Sequence, residues 1–279
     1  MKITYLGTAA AEAIPALYCQ CAACESARKN LGKEYRCRSG CVIDDTFEID
    51  CPPDVYCSTI RAGVYLPGIK NLVFTHSHPD HCCVSELKQR LKPTTCKRFP
   101  DQDWALQVYG NEAVLERLAE LNDKEDKGIK LNYLAPFTPT RMGELTVTAL
   151  KADHRVEGVP YFYLIERDGK SFIYGHDTGI FPEESLKYLA GKRVDAISMD
   201  CTHVKLVSER SHMGIEANIK LKRMLIEQGT ADENTRFIAN HFSHNGFMPD
   251  GKQLTLTEFE EYAHQNGFDV SYDGMTFEI

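Results

Sequence analysis

One short stretch constrains this chain more than any other: the sequence THSHPDH at residues 75–81, directly after the apolar run 71–75, which predicts a buried strand. Four potential metal ligands lie within six residues of this stretch: His76, His78, Asp80 and His81. In extended chain the first two point to the same side and can reach one metal ion. Pro79 turns the chain and lets the last two face a second ion. Imidazole and carboxylate suit zinc, manganese or iron, so the stretch predicts a metal site.

Further candidate ligands follow other predicted strands. His154 comes after the strand predicted at 144–150, and Asp177 lies in the sequence Gly-His-Asp-Thr-Gly after a strand at 171–174. His241 follows a strand predicted at 236–239. Side chains that follow strands meet at one edge of a sheet, where catalytic sites are commonly built. We therefore expect these three residues to join the cluster at 76–81.

The hydrophobic pattern predicts one domain that spans residues 1–279, without a repeat or a linker. Other strands are predicted at 2–6, on both sides of the turn at 44–45, and at 161–166, 194–199 and 268–272. Helices are predicted at 85–91, 112–121 and 214–228, and a last helix follows a capping-box pair, Thr257 and Glu260, and stops at Gly267. This mixture predicts an α/β fold in which two sheets are flanked by helices.

A second metal site is predicted near the start of the chain. Cys19, Cys21 and Cys24 lie in a segment of small residues, about 15–26, that we interpret as a loop. Three thiolates at this spacing can wrap one tetrahedral zinc ion, and His244 is the fourth ligand that we favour. It stands three residues after His241, so one short segment would serve both metal sites.

Charge and cysteine usage limit the partners and the compartment. The 279 residues carry a formal net charge of −8, which disfavours nucleic acid and anionic membranes as partners. No stretch approaches the roughly 20 apolar residues of a membrane span. The chain has 11 cysteines and shows no export signal, so we expect reduced thiols and a cytoplasmic protein.

The histidine and aspartate motif resembles the metallo-β-lactamase superfamily in its phosphodiesterase branch. The resemblance implies an αββα sandwich in which His76, His78 and His154 bind one metal. The residues that it assigns to the other metal are Asp80, His81 and His241, with Asp177 bridging both ions. The Cys-x-Cys-x-x-Cys motif is similar to that of the PhnP-type phosphoribosyl cyclic phosphate phosphodiesterases of phosphonate breakdown. Ile49-Asp50 and Asp200-Cys-Thr-His203 also match that family.

This resemblance implies a hydrolase with two catalytic divalent metals, zinc or manganese, and one structural zinc. A hydroxide between the two metals would open a small cyclic phosphodiester, such as a phosphoribosyl 1,2-cyclic phosphate, with Asp80 and Asp177 as the catalytic aspartates. His203 would bind the substrate and protonate the leaving group, and His212 would contact the phosphate. The family also suggests a homodimer.

Several residues have no assigned place in this pattern. His176, next to the predicted bridging aspartate, and the stretch 92–103 match nothing in the family pattern. Arg36 and Arg38 are interpreted as solvated side chains.

Three alternatives remain open at this stage. The first is a tRNA 3′-endonuclease-like hydrolase, against which the acidic composition counts. The second is a di-iron redox protein on the same fold, in which a glutamate would stand where this chain has His78. The third is a non-catalytic zinc-binding module built on the cysteine motif alone. A count of one zinc or of three metals per chain would separate the module from the hydrolase.

Overall fold

The computed structural model describes residues 1–91, 105–122 and 128–279, and within these ranges the chain forms two facing seven-stranded sheets. The first sheet has the order β14-β1-β2-β3-β4-β5-β6 and the second the order β13-β12-β11-β10-β9-β8-β7. The strands of the first sheet are β1 Lys2–Gly7, β2 Gly40–Ile43, β3 Phe47–Ile49, β4 Asn71–Val73, β5 Leu106–Gly110, β6 Ile129–Tyr133 and β14 Thr276–Glu278. Those of the second are β7 Thr140–Met142, β8 Leu145–Lys151, β9 Tyr161–Arg167, β10 Lys170–Gly175, β11 Ala196–Asp200, β12 Arg236–Asn240 and β13 Asp269–Val270.

Helices cover the outer faces of both sheets. Their bounds are α1 Ala22–Asn30, α2 Val55–Ala62, α3 Val84–Leu87, α4 Glu112–Arg117, α5 Glu183–Leu189, α6 Ile215–Glu227 and α7 Leu256–Gln265. α2, α3 and α4 pack on the first sheet through buried side chains such as Val55, Leu87 and Val114. The other four pack on the second sheet, where Leu221 of α6 and Phe259 of α7 are fully buried. The αββα sandwich that the sequence predicted is confirmed.

The middle of the sandwich is a core of large side chains from both inner faces. Tyr5 and Phe47 of the first sheet meet Tyr163, Phe172 and Tyr174 of the second, and all five are at most 1% exposed. Burying a side chain of this size contributes about 1.5–3 kcal/mol each, so this layer fixes how the sheets face one another. Within the described residues, no helix combines the length and apolar character needed to cross a membrane.

Strand direction explains why the predicted ligands can meet. β8 is antiparallel to β9, β9 is antiparallel to β10, and β10, β11 and β12 are parallel. β8, β10, β11 and β12 therefore all run the same way and end at one edge of the second sheet. β4 of the first sheet ends just before His76, at the same edge of the sandwich.

Several local expectations were wrong. The segment 15–26 is a loop only as far as Cys21, because α1 begins at Ala22 and buries Cys24 and Ala27 on its inner face. The capping box of α7 is formed by Thr255 and Glu258, so Thr257 and Glu260, two residues later, lie inside the helix. The strand expected at 268–272 pairs only at Asp269–Val270.

Arg36 is also not solvated. It is 1% exposed, donates hydrogen bonds to Thr8 Oγ1 and to the carbonyl of Ser271, and lies over the ring of Phe242. These partners replace the water that a guanidinium would otherwise need. Arg38 is partly buried in an ion pair with Asp54, 2.8 Å long. The stretch 92–103 lies outside the described residues.

Candidate metal centre

Three imidazoles converge at the end of β4 and β8. Nε2 of His76 lies 2.9 Å from Nδ1 of His78, and Nε2 of His154 lies 3.3 Å from the same Nδ1. Two nitrogens bound to one ion at about 2.0–2.1 Å lie about 2.9–3.4 Å apart, depending on the coordination angle. The spacing of the three predicted ligands therefore suits one metal ion.

The second predicted set gathers around Asp177. Its Oδ2 lies 3.0 Å from Nε2 of His81 and 2.9 Å from Nε2 of His241, and Asp80 Oδ2 lies 3.4 Å from that same His81 nitrogen. The other oxygen of Asp177, Oδ1, lies 3.7 Å from Nε2 of His154 in the first set. The two carboxylate oxygens thus face the two ligand sets, as a bridging residue would.

The fit of this centre to metal ions can be tested on its buried atoms. Asp177 Oδ2 and His241 Nε2 are both buried and lie 2.9 Å apart, but neither makes a hydrogen bond of acceptable geometry. A buried polar atom without a partner costs about 1–3 kcal/mol, so such atoms need an explanation. Both atoms point to the place where the second ligand set converges, and the donors are the imidazoles and carboxylates that bind zinc or manganese. The residues therefore fit a metal pair.

Neighbouring hydroxyls and carboxylates orient the ligands of the first sheet. The Asp50 carboxylate accepts hydrogen bonds from the amide and hydroxyl of Thr75 and, at 2.8 Å, from Nδ1 of His81. Because the Thr75 hydroxyl donates to Asp50, it accepts from Nδ1 of His76, 2.9 Å away. In both imidazoles Nδ1 is therefore the nitrogen with a hydrogen-bond partner, which leaves Nε2 to face a metal, as partners of metal ligands commonly arrange.

Asp200 and Thr202 orient the candidate ligands of the second sheet in the same way, by hydrogen bonds. Asp200 accepts hydrogen bonds from the amides of Asp177 and Met213, and the Thr202 hydroxyl lies 2.8 Å from Nδ1 of His241. Asp177 and His241 both have a left-handed backbone, with φ of 50° and 63°. Non-glycine residues rarely adopt this conformation, and these contacts hold both ligands in it.

The electrostatics of the cluster favour positive charge at its centre. Burial alone would lower the pKa of His241, but the carboxylates of Asp177 and Asp200 raise it to about 10. His81 follows the same pattern, with burial opposed by Asp177 and Asp50 and the pKa raised well above its usual value. A bound metal would compete with protons for these nitrogens, as is usual when imidazoles become ligands.

His212 and His203 lie on one side of the cluster. The His212 ring stacks on His241 at 5.7 Å between centroids and lies 4.9 Å from the ring of His154. Burial alone would lower the pKa of His212, but the Asp200 carboxylate, 3.0 Å from its Nδ1, outweighs this effect and raises that pKa. His203 is one ring further out, 6.0 Å from His212, and burial followed by the charge of His212 lowers its pKa. His212 is thus nearer to the predicted metals than His203.

His176 is explained by the structure although its sequence context gave no role. It is fully buried, and its two ring nitrogens lie 3.1 Å from Ser39 Oγ and 2.7 Å from Ser198 Oγ. Its ring packs against Tyr174 at 3.9 Å between centroids, and burial lowers its pKa. With both nitrogens hydrogen-bonded, His176 is a core residue that has no ring nitrogen left for a metal.

The cysteine motif forms a separate cluster about the N-terminus of α1. The ligand atoms of Cys19, Cys21, Cys24 and His244 all lie within 4.8 Å of one another. Nδ1 of His244 is 3.6 Å from the sulfur of Cys19 and 3.5 Å from that of Cys21. A tetrahedral zinc with bonds of about 2.3 Å to sulfur and about 2.0 Å to nitrogen has sulfur–nitrogen edges of about 3.5 Å. The cluster therefore suits one zinc ion.

These geometries and the family comparison define the class of this protein. The family model described as the beta-lactamase superfamily domain matches residues 46–231. The chain therefore belongs to this superfamily, as a metal-dependent hydrolase with the metallo-β-lactamase fold. No curated protein sequence matches it.

Solved structures resemble the whole chain. A diphosphatase from the PhnP family is 20% identical, with a TM-score of 0.73 over 100% of this chain and 97% of that one. Zinc-bound PqqB from Methylobacterium extorquens is 16% identical, with a TM-score of 0.75 over 100% of both chains. The short form of human tRNase Z is 14% identical, with a TM-score of 0.66 over 100% of this chain and 99% of that one. At these identities the likeness shows the fold.

Proposed function

We propose that this protein hydrolyses small cyclic phosphodiesters, such as a phosphoribosyl 1,2-cyclic phosphate, in the cytoplasm. The observation that carries the proposal is the convergence of two ligand sets on the two oxygens of Asp177. The likeness to a PhnP-family structure and the PhnP-like cysteine motif support this substrate class. Two divalent ions, when bound, would activate a water and neutralise charge on the phosphoryl oxygens.

The residues of the chain then have distinct tasks. Asp50 and Asp200 hold the ligand imidazoles in place, and Asp80 and Asp177 supply negative charge among them. The His212 imidazole, whose pKa is raised, would donate a hydrogen bond to a phosphoryl oxygen. Attack by water on phosphorus breaks one phosphorus–oxygen bond of the ring. The proton needed by the departing alkoxide would come from His203.

The proposal is tested by comparing substrates with the purified, metal-loaded protein. We expect a higher kcat/KM for a five-membered cyclic ribose phosphate than for a linear diester, a diphosphate ester or a tRNA precursor. The net charge of −8 repels a long polyanion more than a small one. A preference for tRNA precursors would instead support the RNA-processing alternative, and a preference for diphosphate esters would change the substrate class.

A second prediction concerns the cysteine cluster. Cys21→Ser should remove about one zinc per chain and lower the midpoint of thermal unfolding, because metal binding at such sites stabilises the fold. Metal analysis and a thermal scan measure both effects. Cys57→Ser is the matched control, because Cys57 is exposed on α2 and is not in the cluster. An unchanged zinc content in Cys21→Ser would contradict the assignment.

A further inference from the structure

Glu12 lies between the cysteine cluster and the segment that carries His241. Its Oε1 accepts a hydrogen bond from the hydroxyl of Ser243 and lies 3.7 Å from Nε2 of His244. The opposite nitrogen of that ring, Nδ1, faces the sulfurs of Cys19 and Cys21. One imidazole therefore has a thiolate cluster on one side and a carboxylate on the other.

Backbone hydrogen bonds place Glu12 in this position. Ala10 donates to the carbonyl of Phe242, and Phe242 donates to the carbonyl of Thr8, both at 2.9 Å. Ala13 donates to Ala10 and closes a turn around Glu12. The turn is thus fixed against the segment 242–244, and the Glu12 side chain is only 33% exposed. The proximity to His244 follows from the fold and does not depend on a freely moving side chain.

Ser243, which donates to Glu12, also contacts the loop next to the histidine and aspartate cluster. The amide of Ser243 donates to the carbonyl of Thr202 at 3.1 Å. The Thr202 hydroxyl, in turn, contacts both Nδ1 and the carbonyl of His241. Ser243 is therefore held between Glu12 on one side and the loop of Thr202 on the other, two residues after His241.

We propose that Glu12 is a positioning residue for both metal sites. Its carboxylate, 3.7 Å from Nε2 of His244, favours a proton on that nitrogen and so directs the unprotonated Nδ1 to the zinc, and through Ser243 it fixes the segment that carries His241. The proposal rests on the zinc site suggested above. Carboxylates that orient a metal-binding histidine in this way typically change metal affinity by about 10–100-fold.

The experiment follows the cysteine site alone, by its spectrum. The full-length protein is produced with cobalt in place of zinc, and its sulfur-to-cobalt charge-transfer band is followed after EDTA is added. This band reports only thiolate ligands, so the histidine and aspartate centre does not contribute to it. Three variants are compared with the unmodified chain: Glu12→Ala, Glu12→Gln and, as a control, Glu183→Gln. Glu183 lies on the exposed surface of α5, where it pairs with Lys187.

We expect the band of Glu12→Ala to decay at least roughly tenfold faster than that of the unmodified chain. Glu12→Gln should be intermediate, because its amide oxygen can still accept from Ser243 but carries no charge, and Glu183→Gln should match the unmodified chain. Equal decay in all variants would overturn the role of Glu12. Absence of the band from the unmodified chain would overturn the zinc site and this role together. Phosphodiesterase activity is assayed separately, so its absence would leave the result for Glu12 unaffected.

Discussion

Asp177→Asn is expected to lower kcat/KM by roughly a thousandfold or more, which corresponds to about 4 kcal/mol of transition-state stabilisation. In this position each carboxylate oxygen faces a different ligand set, with Oδ1 toward His154 and Oδ2 toward His81 and His241. An asparagine offers one oxygen and no charge, so it cannot neutralise two cations. We therefore expect the variant to lose bound metal as well as activity.

Asparagine is the appropriate replacement because the backbone at residue 177 is left-handed, with φ of 50°, a conformation that asparagine tolerates better than alanine. The variant should therefore fold, as a circular dichroism spectrum can confirm. Metal content and kcat/KM are measured beside a control, Asp168→Asn, which changes a 90% exposed aspartate in a turn. If Asp177→Asn keeps its full metal content and turnover, Asp177 is not the bridge.

The convergence of the proposed ligands could be predicted from the sequence because each of them closely follows a strand. A strand that ends before His76, His154 or His241 places the next side chains at the edge of its sheet, whatever the rest of the chain does. The residues that orient these ligands could not be assigned roles in the same way. Asp50 matched a family pattern, but its contact with His81 spans 31 positions and depends on the parallel pairing of β3 with β4.

The errors have the same physical origin. Arg36 is expected at the surface by its charge, and only distant partners, Ser271 and Phe242, make its burial acceptable. α1 was interpreted as a loop because its inner face is made of Ala23, Cys24 and Ala27, whose small side chains give little hydrophobic contrast. Tertiary packing overrode the local pattern in both places. Secondary structure is set by such packing more than by intrinsic propensity.

Two histidines, His203 and His212, are candidates for the proton donor of the proposed reaction. His203 matches the family pattern, whereas His212 is closer to the metal ligands, 4.9 Å from His154 between ring centroids. Burial acts to lower the pKa of His212, but the nearby Asp200 carboxylate outweighs it and raises that pKa, which favours a contact of this imidazole with a phosphoryl oxygen. Burial and the charge of His212 lower the pKa of His203, which makes His203 the stronger acid of the two. We therefore propose His203 as the proton donor.

His203→Ala should then slow substrates with poor alkoxide leaving groups by roughly a hundred- to ten-thousand-fold, the usual contribution of a positioned acid. Activated nitrophenyl diesters need little protonation and should be slowed far less. The ratio of unmodified to variant activity should also fall as pH rises, because a general acid loses its proton as pH rises through its pKa, and burial and the charge of His212 lower the pKa of His203. The two substrate types are assayed in parallel across pH, beside His212→Ala and the surface control His264→Ala.

Equal losses on both substrate types would give His203 a structural role. Selective slowing of substrates with poor leaving groups in His212→Ala would instead show that His212 is the proton donor. We expect instead that His212→Ala raises KM for both substrate types alike, because a hydrogen bond to a phosphoryl oxygen is made before and during the reaction.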